Sequence, residues 1–328
     1  MIVNLKTTTE IDRGVDSLLA TSAVVRAIGN TPLLRLTRVE HLAGFAPDVE
    51  LWLKAEWTNP GGSVKDRPAL AIVQDALHRG EIDPDRPLID STSGNTGIAF
   101  AMLGAALGFP VHLVVPGSAS LERKQILSAY GATVIESDPY EGSDGAIRLV
   151  RSMVEEHPGR WFYADQYGNP MNPESHFRTT GPEIVRQTGA RVTHLVAGLG
   201  TTGTLVGTGR YLKQHTPDVE LVAVQPAEPF HGIEGLKHLP TAIVPPIYDE
   251  RVPDRQVPVT TEDAFDTARM LARTEGIFAG TSTGAAVAGA IGVGTDATDA
   301  HRPAVIVAIA PDNGSKYLTT GLWGHAEP

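Results

Sequence analysis

The hydrophobic pattern of the chain alternates between short apolar runs and longer stretches with helical spacing of apolar residues. Such alternation is typical of βα units and a parallel sheet, so we predict an α/β fold. The predicted strands cover residues 50–57, 87–90, 111–116, 133–136, 161–165, 194–197, 221–225 and 304–309. The predicted helices cover residues 66–78, 96–107, 121–130, 144–157, 182–187, 204–214, 261–275 and 284–291.

Glycines and one irregular segment punctuate these elements. Gly108 and Gly131 each follow a helix and are predicted to cap it in the left-handed conformation. The run from Gln225 to Pro246 is the longest irregular segment, and a loop of that length is usually functional or mobile. No repeat or low-complexity linker marks a domain boundary. Because 328 residues exceed the usual size of one domain, we expect two lobes with a cleft between them.

Composition and charge narrow the functional classes. Hydrophobic residues make up 41% and charged residues 20%, as in ordinary globular proteins, and no apolar run is long enough to span a bilayer. The first twenty residues lack the apolar centre of a secretory signal, so we expect a soluble, cytoplasmic protein with no membrane partner. A net charge of −11 argues against a nucleic-acid partner, which needs a basic surface. The expected partner is a small molecule.

The number of cysteines and the spacing of the histidines exclude further kinds of site. The chain has no Cys, which excludes disulfides, thiolate metal sites and a cysteine nucleophile. The eleven His include no pair at metal-ligand spacing, so we assign no metal.

Lys65 is the first candidate for covalent chemistry, as one of only seven lysines. It lies in Asn59–Arg67 (NPGGSVKDR), a glycine-rich turn between a predicted strand and a predicted helix. Glycines allow close backbone approach, and a lysine at the carboxyl end of a sheet is well placed to meet a cofactor aldehyde. A solvated lysine in the first turn of the helix is the alternative interpretation.

Two further strand-to-helix junctions can bind anions. Ser91–Gly97 (STSGNTG) offers backbone N–H groups and hydroxyls at a helix start, where the dipole favours a carboxylate. Ordinary capping would need one hydroxyl, and this segment has four. Gly198–Thr204 (GLGTTGT) has the glycines, hydroxyls and helix terminus that bind phosphate, and we call it the phosphate cradle. It lacks the P-loop ending and the dinucleotide fingerprint, which favours a phosphate without a nucleotide.

A fourth junction, Gly280–Ala286 (GTSTGAA), has a serine that can face a ring nitrogen, although alone it is an ordinary helix cap. In chain order, the four segments resemble the fold-type-II pyridoxal-phosphate enzymes, in particular the cysteine synthases. Ile28–Leu33 (IGNTPL) and Thr179–Ile184 (TTGPEI) look like that family's opening and mid-chain motifs. The resemblance spans most of the chain.

The resemblance implies a tryptophan synthase β-like architecture, with two lobes, each an open parallel-rich sheet flanked by helices, and pyridoxal 5'-phosphate in the cleft. We expect a smaller, mobile lobe at residues 46–159. The larger lobe, which binds the cofactor phosphate, is expected to combine residues 1–45 and 160–328.

The resemblance also implies roles for single residues. Lys65 would form the internal aldimine with the cofactor, and Ser282 would face its pyridine nitrogen. The other implied cofactor contacts are Asn95, at the phenolic oxygen, and the phosphate-binding residues Gly200, Thr201, Thr202, Gly203 and Thr204. The implied contacts of the substrate carboxylate are Thr92, Ser93, Asn95, Thr96 and Gln166.

The implied reaction is β-replacement of an O-activated L-serine. Lys65, displaced from the cofactor, removes the α-proton, the leaving group departs to give an α-aminoacrylate, and a sulfur nucleophile adds. Since serine cannot keep the pyridine nitrogen protonated as an aspartate would, elimination is favoured over transamination. Sulfide, thiosulfate and a sulfur-carrier protein all reach the same intermediate. A homodimer is implied as well.

Lys237 bears on the choice of donor. It lies in Glu234–Lys237, where relatives that use O-acetylserine or form cystathionine usually carry glycine, and a cation beside the leaving group favours an anion. We hypothesise that O-phospho-L-serine is an acceptable or preferred donor over O-acetylserine. A solvent-facing Lys237 is the alternative.

Other functions stay open at this point. A cystathionine β-synthase-like or diaminopropionate synthase-like enzyme would share the Lys65 motif but use a thiol amino acid or an amine; Thr179–Ile184 favours a cysteine synthase. Serine and threonine dehydratases fit the region around Gln166 less well. A catalytically silent regulatory or binding protein would be free to lose its lysine, yet Lys65 is present. The segment Gly321–Gly324 either covers the active site or is a packed terminus.

Overall fold

The computed structural model describes residues 8–92 and 94–324, apart from the side chains at positions 8–11 and 13. The chain divides into two compact units. The first consists of Met1–Ile28 and Lys65–Met171, and the second of Gly29–Val64 and Asn172–Pro328. These bounds differ from the lobes expected at 46–159 and at 1–45 plus 160–328. The bounds differ because the strand at Val49–Ala55 pairs with the last strand of the chain, which places it in the second unit.

The secondary structure of the described residues alternates as expected. The strands are β1 (Leu33–Arg35), β2 (Val49–Ala55), β3 (Leu88–Ser91), β4 (Val111–Pro116), β5 (Thr133–Ser137), β6 (Phe162–Tyr163), β7 (His194–Gly198), β8 (Glu220–Pro226), β9 (Arg255–Val259) and β10 (Ala304–Ala310). The helices are α1 (Thr8–Thr21), α2 (Ala23–Arg26), α3 (Thr37–Leu42), α4 (Asp66–His78), α5 (Asn95–Leu107), α6 (Leu121–Ala129), α7 (Gly142–Glu156), α8 (Met171–Arg178), α9 (Thr180–Thr188), α10 (Gly203–His215), α11 (Thr261–Thr274) and α12 (Thr281–Asp299). Short 3-10 helices lie at Glu56–Thr58, Gly314–Tyr317 and Gly321–Trp323.

The first unit contains a four-stranded parallel sheet in the order β5-β4-β3-β6. Helix α5 is apolar or small around most of its circumference and is buried along most of its length, as expected for a central helix. Gly108 ends α5 with φ +80°, and Gly131 follows α6 with φ +80°, which confirms both predicted caps. The core includes Ile72, Leu88, Phe100, Leu103 and Leu113.

The second unit contains a six-stranded sheet in the order β1-β2-β10-β7-β8-β9. Only the β1–β2 pair is antiparallel among its described neighbours. Every residue of β10 is buried, which is typical of a central parallel strand covered on both faces. Helix α12 packs closely because its face is made of small residues; a Cβ on Gly294 would overlap the ring of Phe45.

The predicted α/β class, with parallel-rich sheets flanked by helices, is confirmed. All eight predicted strands and eight predicted helices are present, although α12 is longer than expected at both ends. The pattern did not predict two strands and four helices: β1, β9, α1, α2, α3 and α8. Pro258 argues against a strand in the sequence, because proline cannot donate a hydrogen bond to a neighbouring strand. The strand β9 forms nevertheless, since it lies at the edge of the sheet, where proline is tolerated.

The long segment predicted to be irregular is confirmed: residues 227–254 contain neither strand nor helix. Within the described ranges, no helix has the length and hydropathy needed to cross a membrane.

Candidate active site

Lys65 lies directly before α4, and the residues that precede it are held by hydrogen bonds within the second unit. We call residues 59–65 the lysine loop. Gly62 has φ +76°, which favours glycine, and its N–H donates to the carbonyl oxygen of Asn59 at 2.8 Å. The N–H of Val64 donates to the carbonyl oxygen of Pro311 at 2.8 Å. Lys65 itself is half-buried and occupies the N-cap position of α4.

The phosphate cradle joins β7 to α10, and its backbone leaves no room for larger residues. A Cβ on Gly200 would overlap the carbonyl oxygen of Gly235. Thr202 adopts a left-handed conformation with φ +73°, directly before the helix begins at Gly203. Its hydroxyl is buried and has no hydrogen-bond partner among the described residues. A helix start with converging N–H groups and an unpaired buried hydroxyl fits a phosphate group.

Two residues that sequence reasoning missed support the cradle from α8. The Asn172 Nδ2 donates to the Thr201 Oγ1 at 3.1 Å. The His176 ring lies between two threonines, with Nε2 3.2 Å from the Thr204 Oγ1 and Nδ1 2.8 Å from the Thr180 Oγ1; the donor at each contact depends on the tautomer. Both α8 side chains are 1% exposed. They escaped notice because α8 itself was not predicted.

A buried ion pair explains the two family-like motifs that had no assigned role. The Lys54 Nζ, with a fully buried side chain, lies 2.6 Å from the Glu183 Oε2. It also donates to the carbonyl oxygen of Thr31 at 2.7 Å, and the N–H of Asn30 donates to the Glu183 Oε1 at 2.9 Å. The opening motif and the mid-chain motif therefore meet at one buried lysine, and their role is structural. A lysine in a mostly apolar strand was the signal that could have revealed it.

The hydroxyl of Thr92 accepts backbone hydrogen bonds at the start of α5. Its Oγ1 accepts from the N–H of Gly94 at 3.1 Å and from the N–H of Gly97 at 3.0 Å. Ser93, predicted to bind the substrate carboxylate, lies outside the described residues. Asn95 is the first residue of α5 and is half-buried.

Gln166 and Thr96, also predicted to bind the carboxylate, contact each other. The Thr96 Oγ1 donates to the Gln166 Oε1 at 2.7 Å, and the Gln166 Nε2 donates to the carbonyl oxygen of Ser91 at 2.6 Å. The backbone N–H groups of Gln166 and Ser91 donate to Asp90 at 3.1 and 2.8 Å. Burial raises the pKa of Asp90 to about 8, against the effect of these two donors. Gln166 thus orients the Thr96 hydroxyl.

Ser282 and Lys237 lie close to the cradle in the second unit. Ser282 is the second residue of α12 and is 4% exposed. The Thr281 Oγ1 donates to the carbonyl oxygen of Glu234 at 3.4 Å, and the N–H of Lys237 donates to the carbonyl oxygen of Leu199 at 2.8 Å. The loop that carries Lys237 is therefore bonded both to the cradle and to the start of α12. The Lys237 side chain is 9% exposed and does not lie in open solvent.

The predicted site residues form two groups, one in each unit. The first unit contains Lys65, Thr92, Asn95, Thr96 and Gln166, and the second contains Gly200–Thr204, Lys237 and Ser282. In the part of the chain that is described, no three or more His, Cys, Asp or Glu side chains lie together so that they could hold a metal ion.

Comparisons with known proteins identify the family. The model of the family described as "Pyridoxal-phosphate dependent enzyme" matches residues 24–312. A cysteine synthase of Aquifex aeolicus is 51% identical over 305 residues, covering 93% of both chains. Cysteine synthase B of Escherichia coli is 44% identical over 305 residues, covering 92% of this chain and 96% of its own.

A solved structure gives the same result. The O-acetyl serine sulfhydrylase isoform 3 of Entamoeba histolytica superposes with a TM-score of 0.85 at 36% identity, covering 93% of this chain and 92% of its own. The resemblance inferred from the motifs, the fold type and the cofactor are thereby confirmed. This chain belongs to the pyridoxal-phosphate dependent enzymes and, among them, to the cysteine synthase family.

Proposed function

We propose that this enzyme makes L-cysteine by β-replacement of an O-activated L-serine, with pyridoxal 5'-phosphate as cofactor and Lys65 as the catalytic lysine. The phosphate cradle supports this function most directly, because its helix start and its Thr202 hydroxyl, which has no hydrogen-bond partner in the described part of the chain, suit the cofactor phosphate. The relatives named as cysteine synthases cover nearly the whole chain. Gly200, Thr201, Thr202, Gly203 and Thr204 would hold the phosphate, Ser282 the pyridine nitrogen and Asn95 the phenolic oxygen.

Lys65 moves the proton in this reaction. When bound, the cofactor supplies an electron sink that stabilises negative charge at the substrate Cα. The Lys65 amine takes the Cα proton and later returns it, so it acts first as a base and then as an acid. Between these two transfers, the Cβ–O bond breaks with the electron pair leaving on oxygen, and a sulfur nucleophile forms the Cβ–S bond. No oxidant or reductant is consumed.

The substrate carboxylate would be bound at the start of α5. Thr96 and Asn95 lie in the first turn of this helix, whose dipole favours an anion. Gln166 holds the Thr96 hydroxyl, so in this proposal Gln166 orients a binding group. Thr92 shapes the same turn by accepting two backbone N–H groups.

O-Phospho-L-serine is the donor that the Lys237 loop favours. Lys237 is buried and its backbone is bonded to the cradle, so in this proposal its ammonium would pair with a phosphate leaving group, whereas a neutral acetyl group would gain little from it. The bond from the Lys237 N–H to Leu199 and the approach of Gly235 to Gly200 keep that loop at the cradle.

The ratio of kcat/KM for O-phosphoserine to that for O-acetylserine tests the donor. We expect Lys237→Ala to lower this ratio by at least about tenfold, the effect of losing one charge-assisted hydrogen bond, and Lys237→Arg to retain most of it. Lys213→Ala is the matched control, since Lys213 pairs with Asp254 at 2.8 Å in the same unit. An unchanged ratio in Lys237→Ala would remove the donor proposal.

The two half-reactions can be separated by spectroscopy. The holoenzyme is mixed with O-phosphoserine, O-acetylserine or serine without a sulfur donor, and the visible absorption band of the cofactor is followed. A shift of that band to longer wavelength with one donor identifies it. Sulfide, thiosulfate and a protein thiocarboxylate are then added separately, and the nucleophile that restores the band is the sulfur source. Mass spectrometry identifies its product: cysteine from sulfide, S-sulfocysteine from thiosulfate and a carrier–cysteine adduct from the thiocarboxylate. No shift with any donor would contradict β-replacement.

We also infer a cytoplasmic homodimer, on the strength of the family resemblance. Light scattering coupled to size exclusion measures the mass directly; a 34.8 kDa species at working concentration would contradict the dimer.

A further inference from the structure

The segment that follows β10 lies between the loops that lead to two cofactor-binding residues. Asp312 forms an antiparallel bridge with Ser63, and Asn313 forms one with Ala279. The N–H of Gly280 donates to the carbonyl oxygen of Asp312 at 3.2 Å. Together with the bond from Val64 to Pro311, these contacts join the lysine loop to the residues directly before Ser282.

Lys316 completes the attachment of the lysine loop. Its Nζ donates to two successive carbonyl oxygens, those of Gly61 at 3.3 Å and Gly62 at 3.2 Å. Two successive glycines give the backbone more freedom than any other pair of residues, and a single charged group restrains both. The side chain is half-buried, so these bonds are only partly screened by water.

Asp312 is fixed from several directions. Its carboxyl group is fully buried and accepts from the Tyr317 hydroxyl at 2.7 Å. The Thr283 Oγ1 donates to the Asp312 carbonyl oxygen at 3.1 Å, and a Cβ on Gly280 would overlap the Asp312 Oδ1. The bridge residue therefore has no room to shift relative to the start of α12.

The end of the segment packs against the body of the second unit. The Trp323 Nε1 donates to the carbonyl oxygen of Gly314 at 3.1 Å, and its ring stacks on Phe278 at a centroid distance of 4.2 Å. The Arg269 Nε donates to the carbonyl oxygen of Leu322 at 2.8 Å. The 3-10 helix at Gly321–Trp323 is thus packed against its own unit. These contacts restrain the segment that carries Lys316.

We propose that Lys316 is a positioning residue for the catalytic lysine: it holds the glycine turn of the lysine loop so that Lys65 leaves the loop in one orientation. This inference rests on the proposed role of Lys65 in cofactor binding. Lys316 acts through the backbone of Gly61 and Gly62 and touches neither substrate nor cofactor in this role. Asp312, which accepts a hydrogen bond from Tyr317, bridges to Ser63 of the same loop.

The test compares Lys316→Met, which lacks the donor, with Lys316→Arg, which can still donate to two carbonyl groups. In the holoenzyme, we expect Lys316→Met to lower kcat about tenfold with little change in KM, the order of effect of misplacing a reacting group. The fraction of Lys65 trapped by borohydride at a fixed cofactor concentration, measured by mass spectrometry, should fall, and cofactor release should accelerate several-fold. Lys316→Arg should restore all three quantities, and Lys213→Met should leave them unchanged.

The outcomes separate this inference from the proposed function. If wild type is trapped by borohydride on a residue other than Lys65, the proposed function fails first. If wild type is trapped on Lys65 and Lys316→Met matches it in trapping, release and kcat, the positioning role is overturned. The role is also overturned if Lys316→Met loses only thermal stability. Should Lys316→Met not fold, Lys316→Gln is judged by the same measurements.

Discussion

The two strand-to-helix junctions that we expect to bind anions differ in how the protein uses their hydroxyls. In the phosphate cradle, the Thr202 hydroxyl is buried and unpaired among the described residues. At the start of α5, the Thr92 and Thr96 hydroxyls already bond to Gly94, Gly97 and Gln166. The first junction therefore leaves the Thr202 hydroxyl for a ligand while Thr201 and Thr204 bond to Asn172 and His176, and the second uses the hydroxyls of Thr92 and Thr96 to hold its own shape. Two segments with similar glycine and threonine content can therefore differ in which hydroxyls remain available to bind a ligand.

Gly200→Ala should have the largest effect on this comparison. The added Cβ would overlap the Gly235 carbonyl oxygen, and such overpacking costs roughly 1–3 kcal/mol. We expect cofactor binding, titrated into cofactor-free protein, to weaken by roughly 10- to 100-fold. Gly292→Ala in α12, where nothing lies within 4 Å of the new Cβ, is the control. Unchanged affinity in Gly200→Ala would mean that the cradle does not bind the phosphate.

A pair of isosteric substitutions should separate the two junctions. Thr96→Val removes the hydrogen bond from Thr96 to the buried Gln166 Oε1, so the cofactor-free protein should lose about 1 kcal/mol of unfolding free energy. Thr202→Val removes a hydroxyl that bonds to none of the described residues, so it should leave that free energy nearly unchanged while weakening cofactor binding. Urea unfolding and cofactor titration measure the two quantities. Equal behaviour of the two variants in both assays would contradict the difference between the junctions.

Asp90 provides a test of a different kind, in the pH dependence of stability. Burial raises its pKa to about 8 in the folded state, above the ordinary value of 3.8, with nearby Asp165 acting in the same direction. Between about pH 4 and pH 8 the folded state then binds more protons than the unfolded state, so the unfolding free energy falls as pH rises. Asp90→Asn should flatten this dependence in urea unfolding across that range. Asp218→Asn, at an exposed carboxylate, should not; equal slopes in wild type and Asp90→Asn would refute the assignment.

Much of the fold and of the site followed from the sequence. The junctions around Lys65, Ser91–Gly97, the cradle and Ser282 were predicted because glycines, hydroxyls and a helix start lie within a few consecutive residues. The bounds of β4 and α4 were predicted to the residue. The positions of β1, β9 and α8 were not, since β1 has three residues, β9 contains a proline, and α8 is short and polar.

The partners of the site residues could not be predicted. Asn172 and His176 hold the cradle threonines from another helix, and no local pattern connects them. Gln166 was assigned to the substrate from its resemblance, yet the structure shows both ends of its amide bonded within the first unit. The opening and mid-chain motifs were recognised as family features without a physical role, which only the buried Lys54 provides.

The sequence by itself determined the alternation of strands and helices, the local chemistry of each junction and the family, because these depend on neighbouring residues. Only the tertiary structure decided which groups are available and which are already used. Lys54 meets Glu183 across 129 positions, Thr96 meets Gln166 across 70, and Lys316 meets Gly61 across 255. Contacts between such distant positions arise from how parallel strands and their loops pack, since a buried polar group must find a partner wherever the fold brings one.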